Sequence, residues 1–170
     1  SDTINVKSNS EITLAIPEGT KLDEVDISLG GGIIEADKLS ASEIDMELGA
    51  GKIETDQMSA DAFHIEIGAG EADISNGAIK NGDFSVGMGM ITYRGTISGN
   101  VDAEVSMGEL DFYLDGEEKD HNYNAECAMG EIIIGGSSMS GIASDRYFDN
   151  GADSEFNLEC SMGALKVMFD

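Results

Sequence analysis

The sequence has no tryptophan, one proline, two cysteines and two histidines in 170 residues, and each scarcity removes a class of protein. Two cysteines cannot make the disulfide framework of a small secreted scaffold. One proline excludes a proline-rich linker. The absence of tryptophan takes away the usual sugar-stacking side chain, so a carbohydrate-cleaving cleft has little to work with. Basic residues number nine against 34 acidic ones, a net charge of −25. That sign opposes nucleic acid and anionic lipid surfaces, and leaves cationic partners, metal ions or plain solubility. No apolar run approaches the roughly 18 residues that span a bilayer as a helix, so direct membrane insertion by this chain is not expected. The sequence opens on Ser1 rather than methionine, which suggests a trimmed or processed chain with a leader or anchor lying before it.

Hydrophobic residues make up 41% of the chain, enough for a sizeable core in one domain. Glycine is abundant, at 22 residues. Seven short alternating stretches end on one: VDISLGGGIIE, IDMELGAGKIE, FHIEIGAGEAD, FSVGMGMIT, VDAEVSMGELD, YNAECAMGEII and FNLECSMGALK. Their anchors are Gly32, Gly51, Gly70, Gly89, Gly108, Gly130 and Gly163, separated by 19, 19, 19, 19, 22 and 33 residues. A fixed period near twenty residues marks a repeat array.

Counting from each glycine, apolar residues stand at minus seven, minus five and minus three, the period of a strand. Examples are Ile44, Met46 and Leu48, or Tyr123, Ala125 and Cys127. They return at plus two and plus four, as in Ile53 and Thr55 or Leu110 and Phe112. A weaker third side carries Leu39, Met58, Ile79 and Ile97. Glycine at the join fits a tight corner, often with positive φ. Position minus one holds Gly31, Ala50, Ala69, Met88, Met107, Met129 and Met162. Taken as a continuation of the inward alternation, these methionines fill a widening core.

Such coils bury their faces only by stacking. The expected fold is all-β: a single-stranded right-handed parallel β-helix, or β-solenoid, of about seven coils of ~19 residues, the hand following the crossover rule for parallel strands. Residues 1–22 read as an N-terminal cap and first coil, and 23–170 as the repeats, with a long inserted loop at 136–155. The last coil, at the C-terminus, then forms one end of the rod. Either the loop covers that end or another molecule does, which makes end-to-end self-association an alternative role.

Outward positions stack too. Minus four carries Glu47, Glu66, Glu104, Glu126 and Glu159, and minus six carries Asp26, Asp45, Asp83 and Asp102. Like charges on adjacent strands repel, so Glu47, Glu66, Glu104 and Glu126 are candidate cation ligands, with calcium the one cofactor considered. A screened, solvated face accounts for the same pattern. His64 falls in an outward column and His121 at an unrelated repeat position, so no Ser-His-Asp or Cys-His arrangement emerges and no catalytic residue is named. Cys127 and Cys160 share position minus three and are expected to stack; two buried thiols are favoured over a disulfide, which parallel Cβ directions would strain. The inserted loop offers Asp145, Arg146, Tyr147, Phe148, Asp149 and Asp153 as binding candidates. The competing role for that loop is a lid whose Tyr147 and Phe148 cover the core.

The G-x-G-φ-x-φ pattern of LGAGKIETD and IGAGEADIS, preceded by ITLAIPEGTKLDEVDI, resembles the bacterial adhesin-type repeat families over residues 12–170. The resemblance implies a right-handed β-helix, export or tethering at the cell surface, and an adhesive or interaction role with a protein or glycan partner. It brings no catalytic motif.

Overall fold

A computed structural model describes residues 3–8, 12–14, 21–140 and 144–170. The chain is built of strands: β1 (Thr3–Ser8), β2 (Ile12–Leu14), β3 (Leu22–Leu29), β4 (Ile33–Leu48), β5 (Lys52–Ile67), β6 (Glu71–Val86), β7 (Met90–Ile97), β8 (Val101–Val105) and β9 (Glu109–Leu114). A 3-10 turn at Glu118–Asp120 precedes β10 (Asn122–Cys127), β11 (Glu131–Ile134), β12 (Ser137–Ser140), β13 (Ser144–Phe148), β14 (Glu155–Cys160) and β15 (Ala164–Phe169). Among the described residues no helix is long and apolar enough to cross a membrane.

The strands stack in parallel register into a β-solenoid. Each 19-residue step places a residue beside its equivalent, as in Ile44↔Phe63, Met46↔Ile65 and Leu48↔Ile67. β1 and β2 add a rung at the start, pairing Ile4 with Val25 and Ile12 with Ile34. The rest of the expected N-terminal cap (residues 1–2, 9–11 and 15–20) lies outside the described residues.

The core columns are those of the alternation. Minus seven, minus five and minus three are buried in every repeat, from Val25, Ile27 and Leu29 to Phe156, Leu158 and Cys160. Plus two and plus four are buried as well. On the third side Leu39 stacks on Met58, while Ile79 pairs with Ala60 in the neighbouring column with Ile97.

The stacking order departs from chain order. Hydrogen-bonded neighbours run β6, β7, β9, β15, β11 on one side of the coil, and β6, β8, β14, β10 on another. The final coil, 155–170, therefore sits between the coil of Gly108 and the coil of Gly130. The 22-residue step from Gly108 to Gly130 spans two rungs, roughly 9.6 Å at the usual strand spacing, and the chain then returns to fill the gap. The solenoid makes about five turns, rather than the expected seven coils. The C-terminal coil is consequently not the end of the rod. Both of its edges are paired with neighbouring coils.

The rod's actual end is the coil of Gly130, and the 136–155 insertion closes it. β12 pairs antiparallel with β11, and β13 pairs antiparallel with β10. Residues 141–143 between them lie outside the described residues.

Phe156 fastens the intercalated coil. Its ring lies 6.2 Å from Phe112 below, and 5.5 Å from Tyr123 and 4.5 Å from His121 above. The series continues through Phe84, 4.8 Å from Phe112, to Phe63, 5.4 Å further on. Edge-on aromatic pairs of this kind add to the burial of large rings.

Candidate interaction surface

The corner after each minus-three residue is where the structure overturns an expectation. Residues minus two and minus one are bends, and the inward alternation stops at minus three. The anchor glycine takes the inward place. A Cβ on Gly89 would run into the carbonyl oxygen of Gly70 and lie 2.7 Å from Ile67 Cγ2. Gly108, Gly163 and Gly130 meet the same crowding against the neighbouring rung. Positive φ is confined to Gly32 and Gly51 among the anchors, so close approach of backbones explains the later ones. With glycine facing in, the residue before it faces out. Met88 is 63% exposed, Met107 53%, Met129 63% and Met162 53%. The methionines of position minus one are not core filling.

Backbone hydrogen bonds carry the ladder through the corner: Met88 N to Gly68 O, Met107 N to Gly87 O, Met162 N to Ser106 O and Met129 N to Ser161 O. In space the order is therefore Met88, Met107, Met162, Met129, one per rung. Met90 extends the strip sideways, and an open groove of about 570 Å³ runs along it past Ala69, Gly89, Gly108 and Ala164. The signal in the sequence was present as four methionines at one repeat position. These side chains face solvent, not the core.

Carboxylates border this strip. Glu104, Glu159 and Glu126 stand on successive rungs of the minus-four column, all exposed. Glu109 and Glu131 follow Met107 and Met129 by two residues. The opposite border is partly neutralised: Lys166 from the intercalated coil pairs with Glu109 and lies 3.5 Å from Asp111. Lys52 lies 2.7 Å from Glu54 and 3.6 Å from Glu71. Arg94 lies 3.1 Å from Asp73. No salt bridge among the described residues reaches Glu104, Glu126 or Glu159.

The four cation candidates fall into two separate places. Glu47 and Glu66 are neighbours. Glu104 and Glu126 are divided by Glu159. Among the described residues no group of three or more His, Cys, Asp or Glu side chains converges as a metal centre. In the minus-six column, hydrogen bonds moderate the repulsion: Asn157 donates to Asp102 (2.9 Å) and Asn5 to Asp26 (2.8 Å), while His64 lies 3.6 Å from Asp83.

The loop candidates do not converge on one point. Asp145, Arg146, Tyr147 and Phe148 lie along β13, so successive side chains alternate between faces. Tyr147 is 56% exposed, Phe148 packs partly against the core, and Arg146 lies over the Phe148 ring at 5.6 Å. The lid thus closes the end by strand pairing and one aromatic, not two. Asp149 accepts a hydrogen bond from Gly151 N within a turn, and Asp153 is exposed.

Two further arrangements escaped the sequence. His121 and Ser154, 33 residues apart, share a 2.6 Å hydrogen bond, and both are buried. Burial holds the imidazole pKa below its ordinary value. With Phe156 against its ring, His121 closes the aromatic core. At minus eight, asparagines splice the reordered coils. Asn81 Oδ1 accepts from Asn100 N, and Asn100 Oδ1 accepts from Glu155 N in the intercalated coil. Asn122 Oδ1 accepts from Asn150 N and Ala152 N. Their common repeat position was the available signal.

Cys127 and Cys160 are direct register partners, buried and free. Burial and the neighbouring sulfur push the Cys160 thiol pKa up, which keeps it protonated.

Stacked parallel coils, a continuous core and a strand-capped end define a β-solenoid repeat protein. The chain matches the Toastrack DUF4097 family over residues 3–140, more than half its length, and belongs to that family. The match stops before the intercalated coil. No curated protein and no solved structure matches the chain.

Proposed function

We propose that this Toastrack solenoid is a non-enzymatic interaction domain, exposed at the cell surface or secreted, that presents one corner of its rod to a protein or glycan partner in the manner of an adhesin. The observation that carries this reading is the methionine corner: four large apolar side chains, each more than half exposed, aligned on consecutive rungs. Soluble proteins rarely align exposed apolar side chains in a contiguous patch without a partner for it. A rigid rod whose regular face is displayed rather than folded around a substrate supports this reading, as does the adhesin-type resemblance.

The reading is tested with photo-crosslinking residues at positions 107 and 162, and at Gln57 on another side of the coil, in the full-length protein in its native cells. Adducts from 107 and 162 but not from 57 are expected, together with cleavage by protease added to intact cells. Equal labelling from all three positions, or a protected cytosolic protein, overturns it.

A further inference from the structure

The interaction reading leaves the partner's chemistry open, and the corner itself restricts it. Resting on that reading, we infer that the corner docks a cationic amphipathic segment of another protein, with apolar residues against the methionine ladder and lysine or arginine residues against Glu104, Glu159 and Glu126.

The shape is a narrow apolar strip. Met88, Met107, Met162 and Met129 span three rung intervals, roughly 14 Å at the strand spacing, which about ten residues of helix would cover. Unbranched thioether side chains adapt to irregular apolar partners, as methionine-rich binding surfaces do. The charge is unevenly compensated. Three glutamates on adjacent rungs repel one another, and no lysine or arginine among the described residues forms a salt bridge with them. On the opposite border, by contrast, Lys166 pairs with Glu109. A partner bringing positive charge along the minus-four border relieves that repulsion while burying the methionines. A second copy of this chain brings the same glutamates and a net charge of −25, and an anionic membrane brings more negative charge, so neither fits.

The experiment uses the whole chain and a synthetic 14-residue helix of leucine and lysine with leucines on one face. The control is a peptide of the same composition with its order scrambled. Fluorescence anisotropy gives affinity at low and physiological salt, and carbon-labelled methionine methyls report the site by NMR. The helical peptide is expected to bind at least tenfold more tightly than the scrambled one, and more weakly as salt rises. The Met88→Gln, Met107→Gln, Met129→Gln, Met162→Gln combination should lose at least tenfold. So should Glu104→Gln, Glu126→Gln, Glu159→Gln. The methyl signals of Met88, Met107, Met129 and Met162 should shift, while those of buried Met46 and Met58 stay. All substituted positions are exposed, and unchanged melting temperatures confirm that the variants fold. Failure of the helical peptide to bind, equal binding of the scrambled peptide, or affinity indifferent to the methionine variant overturns the inference. Crosslinks from positions 107 and 162 in cells, alongside such a failure, would leave the interaction role standing and remove only the cationic partner.

Discussion

Gly89 shows how one missing side chain sets an entire face. Its inward position is filled by the Gly70 carbonyl and Ile67, so a methyl group there must push a rung of backbone aside. Gly89→Ala is expected to destabilise by about 3 kcal/mol or more, the scale of a forced clash. Gly136→Ala, which meets nothing within 4 Å, should stay within about 0.5 kcal/mol. Urea denaturation of both variants checks the contrast. His121 gives a second test at this scale. Its pKa is lowered by burial from the ordinary 6.5, so below that pH the unfolded chain binds a proton that the folded chain resists. Stability must then fall as pH drops through 6.5, and the loss is complete once pH passes below the folded pKa. Replacing His121 with phenylalanine should flatten this segment of the melting temperature against pH. An unchanged slope would mean that another group titrates there.

At the level of elements, the intercalated coil is held by parallel pairing on both edges and by one ring. Phe156 joins Phe112 of the coil below to Tyr123 and His121 of the coil above. Phe156→Ala should cost about 3–5 kcal/mol, as large core truncations do. The loss should be local. Amide exchange should quicken in β14, β15, β10 and β11 well before β4 and β5, whose neighbours on both sides are intact. Exchange rising uniformly along the rod would show that the coils unfold as one unit. The strand spans themselves were readable from sequence because each core column is a plain period-two pattern, and Leu29, Leu48, Ile67 and Val86 could be aligned by counting. The corners were not. Alternation says nothing about a bend of several residues, and apolar character at minus one invited an inward assignment that the glycine's own inward placement forbids.

For the whole molecule, stability of a solenoid is nearly a sum of rungs and their interfaces. Deleting 155–170 removes a rung from the interior, not from an end, and leaves β8 and β10 facing a gap one strand wide. The expected result is loss of ordered structure from about residue 101 onward, with the coils of 21–97 retained. Circular dichroism and limited proteolysis of the shortened chain would show a stable N-terminal fragment. A fully folded product would mean that β10 and β11 can close onto β8 and β9 by themselves, and that the order of coils is not tied to the final segment. The acidic excess acts at this scale as well, since Glu104, Glu159 and Glu126 become a continuous border only through that order.

The sequence by itself determined the repeat, the strand period, the identity of the core columns and the stacking of Cys127 on Cys160. Each of these follows from local alternation and a constant spacing. Tertiary structure alone decided which way position minus one faces, because that depends on how closely two backbones approach at a corner. It also decided that the last coil lies inside the stack. Every rung presents the same edge, so the repeat places no coil above any other. The order is settled by the reach of the 115–121 segment and by the fit of Phe156 between Phe112 and Tyr123, contacts between residues distant in the chain.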